Sequence, residues 1–132
     1  MTSYQPEKRR YHRISFRDPR KIAALISPVD QQESEDAAAA SILNMSEGGI
    51  QMSVEKKSAS GFWRGRNILL HGISGLPDLA ELCEVPMQIV WALENEFLDH
   101  ILIGTCFQQL SEQQRQNLRT FVNASIAQEQ ER

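Results

Sequence analysis

The chain of 132 residues has only two cysteines, Cys83 and Cys106. They form neither a paired disulfide framework nor a metal-ligand spacing, so both read as inert thiols packed like small hydrophobes. No stretch approaches the ~20 apolar residues that a membrane span needs. Residues 1–20 also lack the apolar core of a signal peptide, so the expectation is no membrane insertion and cytoplasmic residence. Asn44-Met45-Ser46 and Asn123-Ala124-Ser125 therefore carry no weight as glycosylation sites. The three histidines, His12, His71 and His100, fall in separate segments and suggest no metal site. No glycine-rich loop leads from a strand into a helix to cradle a nucleoside triphosphate. Nucleophile motifs, paired catalytic carboxylates and internal repeats are missing as well, so the chain does not read as an enzyme: no catalytic residues and no cofactor are expected. Net positive charge is also lacking. With 14 Lys and Arg against 17 Asp and Glu, the total of -3 argues against broad affinity for DNA or RNA.

Charge is present, but it is segregated. Residues 1–21 hold seven basic side chains against Glu7 and Asp18 (+5), leaving seven against 15 behind them (−8). A basic front on an acidic body either seeks a compact anion or lies on the body itself. Pro6, Pro19 and the polar composition make residues 1–20 a flexible, extended arm rather than a helix.

Behind the arm, the chain has strand periodicity. Lys21–Ser27 is a short apolar strand stopped by Pro28, and Asp30–Asp36 is an acidic exposed loop. Ala37–Ala40 has helix propensity but is too short to nucleate a helix, and joins the strand beginning at Ser41. Ser41–Met45 and Ile50–Val54 are strands around Ser46-Glu47-Gly48-Gly49; Ile50, Met52 and Val54 alternate with Gln51 and Ser53. Asn67–Gly72 is a further strand. Val85, Met87, Ile89, Trp91 and Leu93 share one face of a longer one, which Asn95 turns back into His100–Phe107. Six short antiparallel strands fit a small closed barrel, which leaves no exposed sheet edge. The period then becomes helical: Ser111 and Gln114 form a capping box, and Leu118, Phe121, Val122 and Ile126 lie on one side. The fold class is therefore mainly β. Residues 21–127 form the barrel and C-terminal helix, and 128–132 a frayed tail.

Two segments carry chemistry. Arg9-Arg10-Tyr11-His12-Arg13 sets two guanidinium forks on an extended arm about 13 Å apart, at ~3.3 Å per residue. Each fork can bond phosphate oxygens or guanine O6 and N7, or lie on a purine ring. The plain alternative is a solvated basic tail. In Asn44-Met45-Ser46-Glu47-Gly48-Gly49, Asn44 offers both a donor and an acceptor, and Ser46 can bond a base, a phosphate or its own turn. Gly49 permits positive φ and a close approach of ligand to backbone. The plain alternative here is a tight hairpin that needs Asn, Ser and Gly for itself.

Together these segments resemble PilZ domains, in which an Arg-x-x-x-Arg arm precedes a six-stranded barrel and is followed some thirty residues on by Asp/Asn-x-Ser-x-x-Gly. Arg9 and Arg13 match the first motif; Asn44, Ser46 and Gly49 match the second. Ile50, the Ile89-Val90-Trp91 strand, Ile103-Gly104…Phe107 and the helix from Ser111 follow the family's order, so the likeness covers roughly residues 7–127. It implies binding of cyclic di-GMP, with Arg9 and Arg13 on guanine edges and phosphates, Asn44 and Ser46 reading a guanine, and Gly49 admitting the backbone. Lys8, Arg10, Gly48 and Trp91 are additional contact candidates, although Trp91's alternating position also suits the core. Asn44 in place of the more usual Asp, and the long acidic connection at Asp30–Asp36, are departures. The resemblance implies a receptor that changes shape and signals to an unidentified downstream protein in a motility, biofilm or polysaccharide pathway. Its rivals are a PilZ-like protein adaptor that ignores cyclic di-GMP and a small nucleic-acid-binding barrel.

Overall fold

The computed structural model describes residues 13–16, 21–29 and 37–130, with backbone alone at 128–130. Lys8, Arg9, Arg10 and the Asp30–Asp36 loop lie outside the described residues. The elements run β1 (Ile14–Ser15), β2 (Ala23–Pro28), β3 (Ala38–Met45), β4 (Ile50–Glu55), β5 (Asn67–Ser74), β6 (Val85–Glu94), β7 (His100–Phe107) and α1 (Glu112–Gln130). Six strands close a ring in the order β3-β2-β5-β6-β7-β4, with β4 returning to β3, every pairing antiparallel. The two-residue β1 adds to β3 beside that ring, pairing Ile14 with Met45 and Ser15 with Asn44. Within the expected arm, then, Ile14 is a buried member of the core and ties the chain to the barrel.

The expected strands are found with small shifts. β2 starts at Ala23, not Lys21, and runs on to Pro28, whose missing N–H is tolerated at a strand terminus. The alanines of 38–40 enter β3: Ala38 and Ala40 are buried where β2 pairs alongside. Small side chains suit that close packing, and tertiary context overrides their helix propensity. The interior is filled by Ile26, Ile42, Met45, Ile50, Met52, Ile68, Leu70, Met87, Ile89 and Ile103, all fully buried.

Two β-bulges set which side chains face outward. In β3 the register steps from Ile42↔Met52 to Asn44↔Gln51, so Leu43 is an extra residue. Strict alternation from Ile42 would turn Asn44 inward and Met45 outward; the bulge reverses both, and Met45 is fully buried. A one-residue slip would lose Met45's burial, about 1.5–3 kcal/mol, and strand an amide inside at about 1–3 kcal/mol more. The register is firmly held.

In β6 the step from Ile89↔Thr105 to Trp91↔Gly104 makes Val90 the extra residue. This corrects the single face expected for Val85 to Leu93. Val85, Met87 and Ile89 point into the core, whereas Trp91 is half-buried and Leu93 is 59% exposed beyond the bulge. The cysteines also depart from expectation, Cys83 being exposed and Cys106 half-buried.

α1 opens with the expected capping box: the Gln114 N–H donates to Ser111 Oγ, and the Ser111 N–H donates to Gln114 Oε1, both at 3.0 Å. Leu118 and Val122 are buried in the common core, while Phe121 and Ile126 pack on it half-buried. The helix lies against β1 and the short turn at Pro77–Leu79. No helix among the described residues is long and apolar enough to cross a membrane.

Candidate functional site

The two sequence motifs meet on the outer wall of the barrel. Arg13 Nη1 donates to Asn44 Oδ1 at 2.9 Å, although 31 residues separate them in sequence. The β1–β3 pairing produces this contact: Ser15 sits opposite Asn44, which leaves Arg13 just ahead of it on the same edge. Asn44 Nδ2 in turn donates to Gln51 Oε1 at 2.7 Å. Gln51 is the register partner of Asn44 on one side and of Gly104 on the other, and Gly104 is the partner of Trp91. Asn44, Gln51, Gly104 and Trp91 therefore form one row across β3, β4, β7 and β6, with Arg13 at its end. A Cβ on Gly104 would overlap the Trp91 indole, so the ring occupies the place of a side chain at 104.

The row offers a guanidinium, two carboxamides and an aromatic ring along the outer wall. That set of groups suits a flat anionic heterocycle: the guanidinium for charge, the amides for edge hydrogen bonds and the indole for stacking. Among the described residues, clefts are found away from this row. A cleft of ≈ 460 Å³ is lined by Asp78, Asn117, Phe121 and neighbours, and another of ≈ 410 Å³ by β2 and β5 around His71. Neither includes a motif residue.

The remaining motif residues build the turn. Ser46 is 3% exposed, and its Oγ accepts the Gly48 N–H at 3.1 Å while its own N–H donates to Gly49 O at 2.9 Å. Gly49 corrects the expectation of positive φ, since positive φ among glycines occurs at Gly61, Gly65 and Gly75. The need for glycine at 49 is steric, because a Cβ there would run into the backbone carbonyl of Thr105 on β7. Thr105, buried itself, locks the junction: its Oγ1 donates to Ile50 O at 2.9 Å and accepts the Ile50 N–H at 3.3 Å. Gly48 O accepts the Phe107 N–H at 2.9 Å. Of the motif, Arg13 and Asn44 face outward with donors and acceptors, while Ser46 closes the turn on Gly48 and Gly49, and that turn meets β7 through Gly48 and Gly49.

Three contributors escaped the sequence motifs. Gln51 was visible as a polar position on β4, and a four-residue turn at 46–49 pairs 45 with 50 and 44 with 51. Glu47 pairs with Arg119 of α1 at 2.8 Å, joining the turn to the helix; nothing local in the sequence signals a contact across 72 residues. Gly104 gains its meaning only from the β6 bulge. No cluster of three or more His, Cys, Asp or Glu among the described residues could hold a metal ion.

Known proteins agree with this architecture. The family model described as "PilZ domain" matches residues 7–124. The PilZ domain of YcgR from Escherichia coli, solved with c-di-GMP, superposes with a TM-score of 0.62 at 14% identity, over 94% of this chain and 95% of that one. The c-di-GMP complex of MrkH from K. pneumonia gives 0.65 at 10% identity, over 94% of this chain but 55% of that one. The Bacillus subtilis inhibitor of motility MotI/DgrA gives 0.60 at 12%, over 92% and 52%. The chain thus spans about half the length of the latter two. A comparison with curated proteins finds no match.

Proposed function

The chain belongs to the PilZ domain family, and from that premise we propose that it is a receptor for cyclic di-GMP that signals by reorganising its arm on the barrel, without catalysis. The observation that carries the reading is the Arg13–Asn44 hydrogen bond, which brings the arm motif onto the hairpin motif. Two of the structures it resembles, those of YcgR and MrkH, hold c-di-GMP.

On this reading Arg13, joined by Arg9 from outside the described residues, takes phosphate oxygens and the O6 and N7 acceptors of guanine. Asn44 reads a guanine edge and Trp91 supplies a stacking surface. Ser46 and Gly49 act indirectly, by fixing the turn from which Asn44 projects. Lys8 and Arg10 add positive charge to the arm. Because Arg13 and Asn44 already bond each other, ligand entry exchanges that bond for bonds to the nucleotide. The arm is then held by a dianion instead of by the barrel alone, which is the change a downstream protein would sense. We assign the protein to the cytoplasm, where such a messenger circulates.

Isothermal titration with cyclic di-GMP tests the proposal. A charge-assisted hydrogen bond contributes roughly 1.5–3 kcal/mol, so Arg13→Ala and Arg9→Ala should each weaken binding about 10- to 100-fold. The nucleotide should be recovered chemically unchanged. Absence of saturable binding by the unaltered chain would leave the ligand-blind adaptor as the better account.

A further inference from the structure

We infer that Gln51 is a positioning residue that sets which pole of the Asn44 amide faces the ligand, allowing a neutral amide to serve where a carboxylate would. The inference rests on the cyclic di-GMP reading above. An Arg side chain has donors and no acceptor, so the Asn44 atom 2.9 Å from Arg13 Nη1 must be the carbonyl oxygen. That fixes the NH2 group on the opposite side, where Gln51 Oε1 accepts it at 2.7 Å. Arg13, Asn44 and Gln51 thus form a hydrogen-bond chain of single polarity, each member donating to the next.

A carboxamide can flip end for end at little intrinsic cost. In the opposite orientation Asn44 would set donors against the guanidinium and its oxygen against the Gln51 oxygen. Arg13 therefore fixes the pole outright, and Gln51 opposes the other orientation unless its own amide turns over as well. Their contributions separate when ligand arrives. Once Arg13 turns to a phosphate or a guanine edge, it no longer constrains Asn44, and Oδ1 stays outward because the other pole then requires the Asn44 and Gln51 amides to turn over together. Oδ1 is then available as an acceptor for the N–H donors of guanine. A carboxylate at this position would need no such partner, because either of its oxygens accepts. The geometry is built in: the 46–49 turn pairs 44 with 51, and the Leu43 bulge turns Asn44 to the outer wall, where the alternation of β4 already places Gln51.

The test is a cycle of four proteins, each titrated with cyclic di-GMP: unaltered chain, Gln51→Leu, Asn44→Asp, and both together. Gln51→Leu should weaken binding roughly fivefold, the worth of about one net hydrogen bond. In the Asn44→Asp background the same change should alter affinity less than about twofold, since the orientation it controls no longer exists. Equal losses in both backgrounds would overturn the inference, because they would mean that Gln51 touches the ligand or merely supports the strand. Unchanged affinity of Gln51→Leu alone would also overturn it while leaving the receptor reading intact. If the unaltered chain does not bind, both fall together. Gln51→Met, of similar length but without an amide, replaces the Leu variant if that one fails to fold, and the same outcomes decide.

Discussion

The indole of Trp91 stands where a side chain at Gly104 would be, across the β6–β7 pairing. Each residue therefore depends on the other: a glycine clears the outer wall, and the ring covers the clearing. Gly104→Ala should displace the indole and cost about 1–3 kcal/mol by overpacking, read as a lower urea midpoint. Cyclic di-GMP affinity should fall with it, because the stacking surface has moved.

Trp91 should also report on ligand. The other tryptophan, Trp63, is exposed and covered by the Arg66 guanidinium 4.0 Å from its ring centroid. In a Trp63→Phe chain, saturating cyclic di-GMP should still change the fluorescence, whereas in a Trp91→Phe chain the change should vanish. Trp91→Ala should weaken binding by about 1–3 kcal/mol, the usual worth of one stacked base.

Asn44 and Ser46, two residues apart in one motif, should fail in different ways. Ser46→Ala removes a buried acceptor for the Gly48 N–H and should lower stability by about 1–3 kcal/mol in chemical denaturation. Asn44→Ala, on the half-exposed outer wall where water can replace its partners, should lower the denaturation midpoint less than Ser46→Ala and weaken binding. Equal stability losses would contradict the division of labour drawn above.

Gly49 and Gly72 provide a steric contrast. Neither has positive φ, but a Cβ at 49 meets the Thr105 carbonyl while one at 72 meets nothing within 4 Å. Gly49→Ala should destabilise by about 1–3 kcal/mol. Gly72→Ala should be neutral or stabilising by up to about 1 kcal/mol, through a less flexible unfolded chain.

The Glu47–Arg119 pair should be worth little to stability. Arg119 is 56% exposed, so a double-mutant cycle with Glu47→Gln and Arg119→Gln should give a coupling of about 0–1 kcal/mol that shrinks with salt.

Much of this fold was legible because its signals are local. Alternation at Ile50, Met52 and Val54 located β4, the Ser111–Gln114 box fixed the start of the helix, and His100–Phe107 matched β7 in full. Arg13, Asn44 and Ser46 were legible as chemical types at fixed spacing. The features that escaped depend on counting residues across strands. A bulge adds one residue without any composition of its own, so the reversal of Trp91 and Leu93 at Val90 could not be read from alternation. Gly49 was assigned to φ because glycine's freedom is a local property, whereas its actual constraint comes from Thr105, on a strand remote in sequence.

Leu43 and Val90, two of the supernumerary residues in the barrel, each absorb a half-period in the alternation of their strands. Excising either would turn its bulge into regular pairing with Asn44 or Trp91 still outward, so what each adds is the local bend and extra twist of the wall. A barrel that lost one codon at either position would keep Asn44, Gln51 and Trp91 outside but hold them on a flatter wall. The same two positions are where a designer would intervene to change the curvature of that wall while keeping its side chains in place.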